Sequence, residues 1–141
     1  MLHSALTNRV IAAAIAVHSE LGPGFLESIY EHALALEFEA QGIAYERQRS
    51  VSVVYRNRPV GEHRLDFLVE GKVIVELKAA TQIENIHFVI VRSYLKATGL
   101  DTALLLNFAA IPLLIRRVSR EPLYYETRLQ EEPATVDIAD V

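Results

Sequence analysis

The chain has no cysteine, no tryptophan and only one methionine among its 141 residues. Without cysteine it cannot form a disulfide, a thiolate metal site or a cysteine nucleophile, and this composition fits the reducing cytoplasm. No apolar run reaches the about 18 residues of a membrane span, and the N-terminus lacks the pattern of a secretory signal. We therefore expect a cytoplasmic domain without membrane contact, large enough at 51% hydrophobic residues for a real core.

An excess of positive charge is also missing, because the formal net charge is −4. The excess of negative charge lies at the C-terminus, where residues 121–141 hold six acidic residues and one basic residue. This division predicts one folded domain over residues 1–120 and an acidic, flexible tail over residues 121–141. Four arginines near the first strand could contact phosphates, but a solvated strand edge is the more ordinary interpretation; these are Arg47, Arg49, Arg56 and Arg58.

Hydrophobic periodicity and turn residues predict an α/β fold with the order α-α-β-β-β-α-β-β, a mixed β-sheet flanked by helices. In the second helix, Ile29 and Tyr30 are expected to face inward. The predicted helices span residues 5–21, about 26–41 and about 86–98, and the predicted strands lie near 50–55, within a hairpin over 62–79, and at 102–108 and 113–118.

The segment from Arg64 to Lys78 places Asp66, Glu76 and Lys78 among apolar residues of one hairpin. Side chains alternate along a strand, so the two carboxylates share a face only if the connecting loop has an odd number of residues or a bulge. Gly71 suits a three-residue loop, because such a loop needs a residue with positive φ. An ordinary hairpin with charges on its solvent face remains the alternative.

Buried carboxylates need a compensating partner, and a divalent metal is the economical one. Carboxylate oxygens are the ligands that Mg²⁺ prefers, and the ion usually keeps several waters. The hairpin therefore predicts a Mg²⁺ or Mn²⁺ site between Asp66 and Glu76.

The element order, with Asp66 followed by Glu76-Leu77-Lys78, resembles the PD-(D/E)XK nuclease-like superfamily. The segment Gly24–Tyr30 looks like the GxxExxY signature of a small bacterial family within it. Three further segments resemble that family, and the whole resemblance covers about residues 8–118; they are Val73–Ala79, Ser93–Gly99 and Leu104–Phe108. The resemblance implies a restriction-endonuclease-like core and a metal-dependent nuclease acting on DNA or RNA.

Residue by residue, the resemblance implies that Asp66 and Glu76 bind the metal and that the carbonyl of Leu77 adds a ligand. Lys78 would orient or deprotonate the attacking water or stabilise charge on the phosphate, and Glu27 would complete the metal shell. Together Asp66, Glu76 and Lys78 form the implied catalytic set.

Glu27 lies in the first turn of its helix, where free N–H groups favour a carboxylate. Tyr30 lies on the same helix face, where it could contact Glu27 or a phosphate. The simpler alternatives are a helix-stabilising acid for Glu27 and core packing with a hydrogen-bonded hydroxyl for Tyr30.

The chain departs from the resemblance at one position. Exonuclease-type members carry Gln-x-x-x-Tyr on the helix after the lysine strand, and here Tyr94 is present but Ile90 stands at the glutamine position. His87 lies one turn before Ile90 and is the candidate substitute for the lost amide, although it could equally be an ordinary helix histidine.

Two other functions stay open at the level of sequence. The domain could bind nucleic acid or a protein without turnover, as the loss of glutamine at position 90 suggests. It could also be a subunit of a homo-oligomer that uses residues 113–115 or the tail as its contact surface.

Overall fold

The computed structural model describes residues 2–120 of the chain. The order of elements predicted from the sequence is confirmed. The elements are α1 (Ser4–Leu21), α2 (Glu27–Ala40), β1 (Tyr45–Tyr55), β2 (Arg58–Val69), β3 (Val73–Lys78), α3 (Asn85–Thr98), β4 (Thr102–Asn107) and β5 (Leu114–Ser119).

The five strands form one mixed sheet in the order β1-β2-β3-β4-β5. Strands β3 and β4 are parallel, and the other neighbours are antiparallel. A parallel pair needs a crossover connection, and α3 supplies it. This is a restriction-endonuclease-like α/β architecture, as the sequence predicted.

Two hydrophobic clusters lie on opposite faces of the sheet. One packs α1 and α2 against the sheet face that carries Phe67, Val75 and Leu77. The other packs α3 against the face that carries Ile74 and Leu105. Strand β3 is therefore covered on both sides, which explains its nearly continuous apolar sequence and the burial of its one acidic residue.

Two local predictions were wrong for physical reasons. Strand β1 begins at Tyr45 and not near residue 50, because it is an edge strand whose first half carries exposed polar side chains. Ile29 is 41% exposed, because α2 turns Tyr30 and Leu34, which are one helical turn apart, toward the core.

Strands β1 and β2 extend well past the rest of the sheet. Pairing of β2 with β3 ends at Phe67, whereas its pairing with β1 continues to Arg58. We call residues 49–65 the β1–β2 arm. Its two-residue turn is Arg56-Asn57, both at positive φ (50° and 64°), as a tight hairpin requires.

None of the helices within residues 2–120 is long and apolar enough to cross a membrane. The predicted acidic tail, residues 121–141, lies outside the described residues.

Candidate active site

The β2–β3 hairpin has the odd loop that the carboxylate geometry requires. Val69 pairs with Val73 and Phe67 pairs with Val75, which leaves three loop residues and sets Asp66 opposite Glu76 on one face. Gly71 has positive φ (68°), as predicted. Glu70 also has positive φ (51°).

The backbone ladder between β2 and β3 opens at the two acids. Pairing ends at Phe67–Val75, and the Leu77 N–H donates to Asp66 Oδ2 at 2.9 Å. A strand residue directs its N–H and C=O toward the same neighbouring strand. The Leu77 carbonyl therefore faces the same opening as the Asp66 carboxylate.

The opening lies where β2 changes the hydrophobic layer against which it packs. Leu65 packs with the α3 cluster, whereas Phe67 and Val69 pack with the α1–α2 cluster. Regular alternation along a strand would place these three residues on one face, and Leu65 departs from it. Simple alternation fails where a strand leaves its partner.

Glu76 lies at the bottom of the opening and is 6% exposed. Its Oε2 is 3.8 Å from Lys78 Nζ, whereas its Oε1 is buried without a hydrogen-bond partner. Burial, followed by the charge of Asp66 and a hydrogen bond to it, raises the pKa of Glu76 to about 9. Burial also raises the pKa of Asp66, against the lowering effect of the Leu77 N–H.

The donor set fits a small divalent cation. Two carboxylates and a backbone carbonyl are hard oxygen donors, and Mg²⁺ commonly takes one or two carboxylates and completes its shell with water. Oε1 of Glu76 is a buried acceptor that a cation would satisfy. Among the residues that the structure describes, no three His, Asp or Glu side chains are close enough to form a metal site by themselves.

Glu27 lies at the rim of the opening, as the first residue of α2. Burial and the charge of Asp66 raise its pKa, and the positive charge of Lys78 lowers it. Glu27 is therefore an electrostatic neighbour of the pair. It does not join Asp66 and Glu76 in a three-carboxylate cluster as the side chains stand.

Two residues at the site had not been predicted, Glu31 and Gln48. Glu31 lies one turn after Glu27, and its Oε1 accepts a 2.6 Å hydrogen bond from Gln48 Nε2. The same amide nitrogen is 3.5 Å from Asp66 Oδ1, and Arg47 Nη2 donates to Glu31 Oε2 at 2.9 Å. Gln48 thus links α2 to Asp66 through its side-chain amide.

The backbone of Gln48 is unusual for a strand. Its φ is 51°, and β1 skips pairing at this residue, opposite Asp66. A non-glycine residue at positive φ is strained and persists only where its surroundings hold it. Glu31 could have been predicted as a site residue, because it lies one helical turn after Glu27. No feature of the sequence around Gln48 indicates that it belongs to the site.

Tyr94 reaches the site from α3, on the other side of the opening. Burial, then the negative charges of Glu76 and Asp66, raise its pKa to about 12. Its ring meets that of His63 edge-on, with centroids 4.7 Å apart. Tyr94 is therefore held beside the carboxylate pair as a neutral hydroxyl donor.

The two other predicted support residues are used elsewhere. The Tyr30 hydroxyl donates to the Gly22 carbonyl at 2.5 Å and accepts from the Phe25 N–H at 3.2 Å. The Nδ1 of His87 accepts from the Glu84 N–H at 2.9 Å in the capping box of α3. Tyr30 and His87 thus make the contacts expected from their simpler alternatives, a hydrogen-bonded core hydroxyl and a helix histidine, and their roles toward a phosphate stay predictions.

Comparison with known families gives one match. A family model described as the PD-(D/E)XK nuclease superfamily matches residues 4–118, a range that begins with α1, ends one residue before the end of β5 and includes the whole opening between β2 and β3. Comparisons with curated proteins and with solved structures found no match. The narrower resemblance to GxxExxY proteins stays a prediction. The chain belongs to the PD-(D/E)XK nuclease superfamily.

Proposed function

We propose that the protein is a metal-dependent nuclease that hydrolyses phosphodiester bonds at the opening between β2 and β3. One observation carries the proposal: Asp66, Glu76 and Lys78 converge where the ladder opens, and a buried oxygen of Glu76 has no partner there. Membership of a nuclease superfamily supports the same chemistry.

Asp66, Glu76 and the Leu77 carbonyl would hold the ion, with Glu27 as a further acid that interacts with the charges of Asp66 and Lys78. When bound, Mg²⁺ or Mn²⁺ lowers the pKa of a water ligand and polarises a phosphate oxygen. The burial that raises the pKa of Glu76 keeps bulk water from screening these charges.

Lys78 supplies the positive charge of the site. Its Nζ is 3.8 Å from Glu76 Oε2 and its side chain is 25% exposed, so it can reach a phosphate at the mouth while staying anchored. A fixed cation stabilises the charge that develops on the phosphoryl oxygens in the transition state. Tyr94 can donate a hydrogen bond to the same group from α3.

Metal binding is tested by thermal unfolding with Mg²⁺ or Mn²⁺ and with EDTA. We expect each ion to raise Tm, because a ligand that binds only the folded state stabilises it. Asp66→Asn should abolish that rise. Asp101→Asn, at an exposed acid paired with Arg120, is the matched control and should keep the rise. Equal metal responses in the two variants would contradict the proposal.

Catalysis is tested with labelled DNA and RNA substrates and Lys78→Ala. We expect cleavage to fall by at least about 100-fold, with Tm unchanged or raised. Lys72→Ala, in the exposed β2–β3 loop, should cleave normally. A loss of cleavage only in proportion to lost folded protein would deny Lys78 a chemical role.

The second candidate is a nuclease fold that binds nucleic acid or a protein without turnover. Ile90 favours it, since this 36% exposed side chain offers no hydrogen bond where related nucleases carry an amide. Binding without cleavage, and with no effect of metal on Tm, would select this candidate.

A further inference from the structure

The tip of the β1–β2 arm is a second surface that the proposed reaction does not use. Residues 54–62 are all exposed, and three of them are large apolar residues at 56–62% exposure. These are Val54, Tyr55 and Val60. Exposed apolar side chains concentrated at one end of a ribbon are typical of a binding surface.

The tip is also basic, in a chain that is acidic as a whole. Residues 54–61, which we call the arm tip, hold Arg56 and Arg58 and no acid. The Arg56 guanidinium lies 5.3 Å from the centre of the Tyr55 ring, a contact that orients the cation without neutralising it. By contrast, Arg47, just before the arm, is paired with Glu31, and Arg49, its first residue, is paired with Glu46.

The shape of the arm tip limits what it can bind. A two-stranded β-ribbon fits the major groove of B-DNA, which is about 12 Å wide and about 8.5 Å deep. Residues 54–56 span about 10 Å at about 3.3 Å a residue, which is comparable with the depth of that groove. The major groove of an RNA duplex is too narrow for such a ribbon.

The arm also connects this surface to the candidate active site. The eight steps from Arg58 to Asp66 span at most about 26 Å along β2. That length corresponds to about eight base pairs at 3.4 Å each. A duplex lying along the arm could therefore reach the tip and the opening between β2 and β3 together.

We propose that the arm tip inserts into the major groove of double-stranded DNA, with Arg56 and Arg58 on the flanking phosphates. The apolar side chains contact base edges and sugars within the groove. The arm alone indicates the substrate class, double-stranded DNA. The inference rests on the proposed function only for cleavage at the opening between β2 and β3.

The test is fluorescence anisotropy with labelled duplexes in EDTA over a series of salt concentrations, so that binding is measured without cleavage. The variant is Arg56→Asn with Arg58→Gln, in which asparagine tolerates the positive φ of position 56. The control is Arg9→Gln with Lys72→Gln, which removes the same charge from exposed sites on α1 and the β2–β3 loop.

For a 24-base-pair DNA duplex we expect the arm-tip variant to bind at least about tenfold more weakly. The slope of log affinity against log salt should fall by about 2, which corresponds to two phosphate contacts. A 6-base-pair duplex, which is too short to span both ends of the arm, should bind more weakly than the 24-base-pair duplex and should also lose affinity in the arm-tip variant. The control variant should keep the original slope.

Three results would overturn the inference. They are an unchanged slope of log affinity against log salt in the arm-tip variant, an equal loss of affinity for an RNA duplex in that variant, and an effect of the variant on dimer formation alone. Arg58→Glu is a second variant, away from the turn, should the first lose folded protein. If the arm-tip variant loses DNA binding and neither the unmodified protein nor any variant cleaves, DNA binding by the arm tip is supported and the proposed reaction is rejected.

Discussion

At the scale of single residues, Gln48 shows how Asp66 is held by a residue outside the predicted catalytic set. Its amide bridges Glu31 and Asp66 while its backbone stays at positive φ. Such strain costs on the order of 1–3 kcal/mol. We infer that Gln48 keeps this strained backbone because it places the side-chain amide between Glu31 and Asp66.

Gln48→Gly should separate the strain from the amide. Glycine removes the strain but adds freedom to the unfolded chain, so we expect the free energy of unfolding in EDTA to change by less than about 1 kcal/mol. The rise of Tm with Mg²⁺ should shrink, because Asp66 loses its support.

Asn57→Gly is the matched control for this variant, since Asn57 also has positive φ (64°) but lies at the arm turn. It should leave the metal response unchanged. If Gln48→Gly keeps the full metal response, then Gln48 does not position Asp66.

The pH dependence of stability follows from Glu76. Because its folded pKa is raised to about 9, the folded state binds the proton more tightly than the unfolded state. In EDTA, its contribution is therefore present below its ordinary pKa of about 4.5 and is lost as pH rises toward 9. Up to about 1.4 kcal/mol is lost per pH unit in that window.

Chemical denaturation at pH 5, 7 and 8.5 in EDTA measures this loss. Glu76→Gln should flatten the pH profile and be more stable than the unmodified protein at pH 8.5, while losing the response to Mg²⁺. Glu37→Gln, on α2, should keep the original profile. Identical pH profiles for Glu76→Gln and the unmodified protein would contradict the burial argument.

The sequence could predict part of the site at this scale. The two-residue period of strands predicts that Asp66 and Glu76 share a face if the loop is odd, and the register confirms that geometry. The roles of Asp66, Glu76 and Lys78 were implied by the resemblance. Glu31 and Gln48 could not be predicted together, since they are 17 positions apart and meet only after α2 packs beside β1.

At the scale of elements, the connection between α1 and α2 depends on one hydroxyl. Tyr30 is fully buried, stacks on Phe108 with ring centroids 4.6 Å apart, and holds Gly22 and Phe25 through its oxygen. The turn that brings Glu27 to the site is thus fixed from the core.

Tyr30→Phe should lower the free energy of unfolding by about 1–3 kcal/mol, because the Gly22 carbonyl and the Phe25 N–H lose their buried partner. The metal-dependent rise of Tm should persist. Tyr55→Phe, at an exposed position on the arm, should leave stability unchanged. Full stability combined with lost cleavage in Tyr30→Phe would restore the phosphate role that the sequence suggested.

Prediction of the elements succeeded where periodicity is set by a buried face. Helix α3 and strand β3 were placed to within a residue or two, since each has a clear apolar pattern. The first half of β1 was missed because an edge strand buries few side chains. Regular alternation assigns Leu65 to the wrong face, because β2 changes the layer against which it packs at Asp66.

At the scale of the whole molecule, the family match ends at residue 118 and the acidic excess begins at residue 121. We propose that residues 1–120 form the complete nuclease-like domain. The later residues then affect partners through their charge, which opposes binding to an anionic duplex.

A chain ending at residue 120 should keep the Tm and the metal response of the full chain. It should bind DNA more tightly at low salt, with the difference fading as salt rises. Calorimetry and anisotropy measure these effects, and light scattering of both forms tests the predicted homo-oligomer. A truncated chain that unfolds or loses its metal response would place residues 121–141 within the domain.

The orientation of Asp66 relative to Glu76 depends on the number of residues in the three-residue loop between β2 and β3. Since each step along a strand reverses the direction of a side chain, deleting or inserting a single loop residue would turn Asp66 toward the opposite hydrophobic layer. The scaffold could absorb such a change by shifting the pairing, but the acids would part. We therefore expect a change of loop length at this position to keep the two acids on one face only when it adds or removes an even number of residues.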